Sequence, residues 1–127
     1  MILGIGCDIC DIRRIEKLIE SQGEKFLNRV FTLSERNRLQ KREKSANGFA
    51  KVFAAKEALV KSLGNSTDIS WQDIEVVKNN NGRPELKLHK KAQSMAKSLA
   101  NGNYQLHLSL SDEPPYALAY VIFSKML

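Results

Sequence analysis

An α+β domain, with a small antiparallel sheet and helices packed on it, is the fold class predicted by this 127-residue sequence. Three observations carry the prediction. Several segments place apolar residues at helical spacing, others read as strands, and the last two strand-like segments are joined by a turn short enough for a hairpin. No internal repeat, linker or low-complexity tract divides the chain, so residues 1–127 are expected to form one domain.

Residues 2–9, "ILGIGCDI", predict a buried strand. Asp11 then stands as the N-cap of a helix carrying Ile12, Ile15 and Ile19 at core spacing, with Arg13, Arg14 and Lys17 on its other faces;. A short segment, "EKFLNRVF", follows. Thr32 and Glu35 have capping-box spacing for a helix through about Arg42, and "QKREKSANG" is a polar connection;. Phe49–Leu63 has a helical pattern that Gly64 and "NST" stop;. "DIEVVK" and "ELKLH" are short strands around the turn "NNNGRP";. Residues 90–100 form an amphipathic helix, "YQLHLSLS" alternates cleanly, "DEPP" turns the chain, and "YALAYVIF" is apolar on both faces, as a central strand is;.

The composition, 43% hydrophobic and 27% charged, is that of a soluble globular protein;. No apolar run approaches the ~20 residues that cross a bilayer. The N-terminal run lacks a preceding basic region and a cleavage site, so neither a secretory signal nor a membrane partner is expected, and a cytoplasmic location is. The net charge of +6 steers anionic partners without choosing among nucleic acid, a phosphorylated small molecule and an acidic protein;. Cys7 and Cys10 have C-x-x-C spacing, but the chain offers no second cysteine pair for zinc, and partly buried reduced thiols are the favoured reading over redox chemistry;.

On a helix, Leu59, Val52, Leu63, Phe49, Val60 and Phe53 gather into one arc of about 120°, and Lys56 falls inside it;. Glu57 and Lys61 line one border of that arc. Lys56 can thread its stem through the core and bring its ammonium to water, or it can be a charge at the edge of a phosphate site. Glu57 and Lys61 can likewise be a surface i, i+4 pair.

The first strand bears on this choice. Alternation puts Gly4, Gly6 and Asp8 on one face, so two glycines clear the way for a close approach by another backbone or a ligand beside an acid;. If Asp8 and Glu57 converge to about 4 Å, their repulsion is around 4 kcal/mol at an effective dielectric of ~20, and a cation between them relieves it. Two oxygen ligands without a larger acidic cluster suit Mg²⁺, which takes its other ligands from water and substrate phosphates. Lys56 and Lys61 then stand beside a phosphate. His107, Ser109 and Ser111 form a polar row that either faces solvent or lines a cleft;. Their spacing is not that of a hydrolase dyad, and no nucleophile elbow is present.

Taken together, "GIGCDI" with "RIE", "FTLSE", "FAAKEALVKSLG", "ISWQDIEVV", "NGRPEL" and "HLSLSDE" resemble the holo-acyl carrier protein synthases, the short bacterial-type 4′-phosphopantetheinyl transferases. The resemblance covers nearly the whole chain and implies that family's fold. It also implies transfer of the 4′-phosphopantetheine arm of coenzyme A to a serine of apo-acyl carrier protein in fatty acid biosynthesis, with release of adenosine 3′,5′-bisphosphate. By the same resemblance Asp8, Glu57 and Lys61 are catalytic, Asp8 and Glu57 hold Mg²⁺, and Lys56, Lys61, His107 and Ser109 contact coenzyme A. A carboxylate or a metal-bound water takes the serine proton. The first helix is similar to the family's docking surface for the acidic carrier, with Arg14 at the matching basic position and Arg13 and Lys17 nearby, and a homotrimer with sites at subunit boundaries is implied. The chain departs from the family's common pattern at Val52, where relatives often carry arginine, and at Asp112, where they often carry histidine.

A nucleic-acid-binding module, prompted by "KREK" and "HKK", would leave Asp8 without a use, and the basic residues are not interleaved with aromatics;. No nucleic-acid partner is expected.

Overall fold

Strand β1 (Ile2–Asp11) passes directly into helix α1 (Ile12–Gln22) because Asp11 ends one and caps the other. Its carboxylate accepts a hydrogen bond from the Arg13 backbone N–H at 2.9 Å;. The computed structural model describes residues 1–65 and 68–127. After α1 come two short helices, α2 (Glu24–Val30) and α3 (Leu33–Leu39). At the start of α3 the expected capping box is present: Thr32 Oγ1 accepts from the Glu35 N–H, and Glu35 Oε1 accepts from the Thr32 N–H at 2.8 Å.

Helix α3 ends before the expected Arg42, and α4 (Ser45–Ser62) starts before the expected Phe49. Lys44 adopts the left-handed conformation, φ 54°, and turns the chain into α4 inside what the sequence presents as a polar connection. Gly48 lets this first turn rest on α3, since a Cβ there would come within 2.6 Å of Leu39 Cδ2. Of the residues read as the helix stop, Ser66 and Thr67 lie outside the described residues.

A 3-10 turn (Trp71–Asp73) leads into the hairpin of β2 (Ile74–Lys78) and β3 (Pro84–Leu88). Helix α5 (Lys90–Ala100) then precedes β4 (Tyr104–Glu113) and β5 (Tyr116–Lys125). The strands form two antiparallel sheets where one was expected: β1-β5-β4, with β5 central as predicted, and β2-β3. Alternation and short apolar runs identified the strands but carry no information about which strand each would pair with.

The sheet register separates two faces. Ile5–Ile122–His107, Cys7–Tyr120–Ser109 and Ile9–Leu118–Ser111 form rows on the outer face. Gly4–Phe123–Leu106, Gly6–Val121–Leu108 and Asp8–Ala119–Leu110 form rows on the inner face. Helix α4 packs on that inner face against β1 and β5. It is enclosed nearly all round: Phe49, Val52, Phe53, Ala54, Ala55, Lys56, Ala58 and Leu59 are all buried;. The two β1 glycines make this contact possible. A Cβ on Gly4 would lie 1.9 Å from Ser62 O, and one on Gly6 would lie 1.8 Å from Ala58 O. Of the two approaches that the glycines could admit, backbone or ligand, the backbone of α4 is the one present.

Phe31 stands between Phe26 and Phe49 at ring-centroid distances of 5.8 and 4.7 Å and ties α2 to α4;. Among the described residues, no helix is long and apolar enough to cross a membrane.

Candidate active site

Asp8 projects from the inner face of β1 towards the border of α4 that carries Glu57 and Lys61. Lys61 Nζ donates to the Cys7 carbonyl at 3.0 Å and to Asp8 Oδ1 at 3.3 Å, which ties the strand to the helix. Partial burial raises the Glu57 pKa, and the negative charge of Asp8 raises it further, while Lys61 and Arg14 oppose both;. Asp8, Glu57, Lys61 and Arg14 thus form one electrostatic cluster. The structure contributes two carboxylates there, and among the described residues no larger group of metal-ligating side chains exists. That donor set, hard, oxygen-only and short of a full shell, fits an Mg²⁺ ion shared with a phosphorylated substrate.

Lys56 is not part of this cluster, which corrects the expectation that it contacts coenzyme A. Its side chain has 0% exposure. The ammonium donates to Val30 O at 2.7 Å, Glu35 Oε1 at 2.8 Å and Trp71 O at 3.1 Å, so its donors are all engaged inside the fold;. It also lies 5.6 Å from the Phe31 ring centroid;. Burial lowers its pKa and the Glu35 carboxylate opposes that shift. Glu35 is equally enclosed and accepts from the Val76 N–H at 2.7 Å as well as from the capping-box amide. An ammonium held this way reaches neither water nor a phosphate.

Arg14, Arg13 and Lys17 line an open cleft of about 620 Å³ along α1, with Asp11, Leu18 and Ser21. Arg13 is engaged locally by Asp11, its Nη2 lying 2.7 Å from Oδ2. Arg14 stacks its guanidinium 5.4 Å from the Phe53 ring centroid, close enough to the carboxylates to influence Glu57. It therefore joins the expected docking surface to the acidic cluster.

His107 and Ser109 are not brought to the carboxylates within one chain. They lie on the outer face of the sheet, beside Leu118, Tyr120 and Ile122. Cys7 is on the same outer face and Cys10 on the inner one, so the C-x-x-C spacing on a strand separates the thiols. Both cysteines are free, and burial lifts the Cys10 pKa to about 11;.

A basic cleft escaped the sequence reading. Arg38, Arg42, Lys51 and Lys78 line a cavity of about 210 Å³ with Gly48, Val52 and Pro84. Desolvation, and then the charges of Arg42, Arg38 and Lys51, hold Lys78 below its usual pKa. Lys51 also pairs with Asp112 at 3.4 Å. The "KREK" cluster was a signal for this cleft, but its partner Lys78 lies on a different element.

A profile of the 4′-phosphopantetheinyl transferase superfamily matches residues 4–121. The chain belongs to the 4′-phosphopantetheinyl transferase superfamily. The holo-[acyl-carrier-protein] synthase of Methylobacterium radiotolerans is 46% identical over 130 residues, covering 99% of this chain and 96% of that protein. That of Bartonella henselae is 40% identical over 126 residues, covering 96% and 95%. Among solved structures of the superfamily, the Neisseria meningitidis holo-[acyl-carrier-protein] synthase superposes with a TM-score of 0.86 at 34% identity, over 98% of this chain and all (100%) of that one. The Bacillus anthracis enzyme in complex with coenzyme A (3′,5′-ADP) gives 0.81 at 32% identity, over 99% of each chain. The fold is the α+β fold of this superfamily.

Proposed function

We propose that this chain is a holo-acyl carrier protein synthase, transferring the 4′-phosphopantetheine group of coenzyme A to a serine of apo-acyl carrier protein. The observation that carries this reading is the meeting of Asp8, Glu57 and Lys61 where β1 and α4 touch, beside the basic α1 surface. In the reaction the serine oxygen bonds to the phosphorus that bears pantetheine. The bond from that phosphorus to the bridging oxygen breaks, adenosine 3′,5′-bisphosphate leaves, and the serine proton passes to a base.

Asp8 and Glu57 are the residues that would hold Mg²⁺, which when bound neutralises charge on the phosphoryl oxygens and on the departing bisphosphate. Lys61, anchored on Asp8 and the Cys7 carbonyl, presents a fixed positive charge beside the same oxygens;. Coenzyme A carries a further phosphate on its nucleotide, and the cleft of Arg38, Arg42, Lys51 and Lys78 suits it in charge;. Arg13, Arg14 and Lys17 would steer an acidic carrier onto α1, chiefly by accelerating encounter.

The reading includes a homotrimer. The outer sheet face leaves Ile5 56%, Ile9 65% and Tyr120 43% exposed, and His107 and Ser109 stand among these residues;. A second copy seated on that face would bury the apolar rows and offer His107 and Ser109 to a neighbouring copy's carboxylates. The same reading assigns the enzyme to the cytoplasm and to fatty acid biosynthesis.

Incubation with coenzyme A, Mg²⁺ and apo-acyl carrier protein is expected to add one phosphopantetheine to the carrier by mass spectrometry. Failure with several carriers, the native one included, removes the reading.

A further inference from the structure

Lys56 is adjacent in sequence to Glu57, yet the buried Lys56–Glu35 pair touches nothing in the candidate active site. Replacing buried ion pairs by apolar residues is often neutral or stabilising, so stability alone does not account for one here. What such a pair supplies and a leucine cannot is direction. The Lys56 ammonium is held from three separate segments: the last turn of α2 through Val30 O, the first turn of α3 through Glu35, and the 3-10 turn through Trp71 O. Each anchor is itself fixed. Glu35 is bonded to the Thr32 and Val76 amides, and Trp71 stacks on Phe53 at 5.2 Å, one helical turn before Glu57.

On its other side α4 meets the glycines of β1, which set how closely the helix approaches, and Ala119, Val121 and Phe123 of β5, whose apolar contacts are non-directional, while Lys61 ties it to β1 only through a half-exposed side chain;. We propose that Lys56 is a positioning residue: its three-way anchorage fixes the roll of α4 about its own axis and so holds Glu57 opposite Asp8. This rests on the transferase reading for its consequence in turnover. Side-chain ends lie about 5–6 Å from a helix axis, so a roll of 20° carries the Glu57 carboxylate about 2 Å. Misplacement by about 1 Å can cost a hundredfold in rate. Lys56 touches no reacting atom, and its effect is transmitted through the backbone it shares with Glu57.

Lys56→Met alone leaves the Glu35 charge buried without its partner and can fail to fold, so the deciding protein is the double variant Glu35→Gln/Lys56→Met. It is expected to melt cooperatively but below the parent's temperature, because an amide nitrogen then faces the Thr32 or the Val76 N–H, and, folded at the assay temperature, to bind Mn²⁺, followed by electron paramagnetic resonance, at least about tenfold more weakly;. Its kcat should fall about a hundredfold with little change in KM for coenzyme A. A crystal structure should show α4 rolled relative to β1. A folded double variant with parental Mn²⁺ affinity and kcat, or with α4 superposing on the parent's, overturns the proposal. Absence of transfer by the parent itself would instead overturn the transferase reading, and Mn²⁺ affinity would still decide the role of Lys56. If the parent bound no Mn²⁺ either, the position of α4 in the two crystal structures would decide it.

Discussion

A Cβ on Gly6 would stand 1.8 Å from the carbonyl oxygen of Ala58, so strand and central helix touch backbone to backbone. No rotamer change can relieve that overlap, because the obstructing atom belongs to α4 itself. Gly6→Ala is therefore expected to cost at least about 3 kcal/mol or to abolish soluble expression. Gly48→Ala meets the flexible Leu39 side chain instead and gains helix propensity, so it should stay within about 1 kcal/mol of the parent. Urea unfolding of the two variants checks the contrast. Comparable stability would mean that α4 can retreat from β1.

Lys56→Ala should be strongly destabilising for a different reason. It strands the enclosed Glu35 carboxylate, and breaking a buried pair on one side costs about 3–5 kcal/mol. Urea titration of Lys56→Ala beside Lys61→Ala separates the two lysines of the motif. Lys61 has a 44% exposed side chain, so its loss should leave stability nearly unchanged while removing transfer;.

How legible these roles were in the sequence varied with how far each signal reached along the chain. Asp11 and the Thr32–Glu35 box act within one turn, and both were readable from spacing. Gly4, Gly6 and Asp8 share a strand face, and period-two alternation grouped them correctly. Lys56 was misread because its partner, Glu35, lies 21 residues away, beyond what helical periodicity can report. The cleft formed by Arg38, Arg42, Lys51 and Lys78 was signalled only in part, by "KREK", for the same reason: its residues come from separate parts of the chain.

Glu57 should make the metal-free protein lose stability with rising pH. Its folded pKa is raised, first by burial and then by Asp8, so the neutral form favours folding. That contribution is fully present below the ordinary value of 4.5 and is lost as pH rises through the raised folded value;. Glu57→Gln is thus expected to melt higher than the parent at pH 7 without metal, with the difference vanishing in acid. Mg²⁺ should raise the parent's melting temperature at pH 7 and leave the variant's unchanged. Calorimetry across pH, with and without Mg²⁺, measures both effects. A parent that gains no stability from Mg²⁺ would remove Glu57 as a ligand.

The basic cleft predicts a binding defect separable from chemistry. Arg42→Ala and Lys78→Ala should each raise KM for coenzyme A about tenfold at low salt with kcat retained, because each removes a phosphate contact made equally in the ground and transition states. The defect should shrink as added salt screens the parent's advantage. Lys17→Ala, on α1, should raise KM for the carrier instead. Steady-state kinetics with each substrate varied in turn distinguishes the two surfaces, and a kcat effect at the cleft would contradict its assignment to the distal phosphate.

The placement of His107 and Ser109 leads to a prediction about assembly. Within one chain they lie on the outer sheet face, while Asp8 projects from the inner one, so a site using all of them must draw them from different copies. Asp8→Ala and the double variant His107→Ala/Ser109→Ala should each be inactive or nearly so. On the trimer reading their defects fall on opposite sides of a subunit boundary. If the two are unfolded together and refolded as mixed trimers, a site is intact when its carboxylate copy comes from the second protein and its neighbour from the first. Random equal mixing makes about one quarter of sites intact in a closed ring, and activity should recover to about that fraction of the parent's. Mixing without exchange should recover nothing. Failure of refolded mixtures to regain activity, when refolded parent alone does, would place His107 and Ser109 outside the neighbouring site and leave the exposed apolar face to another occupant.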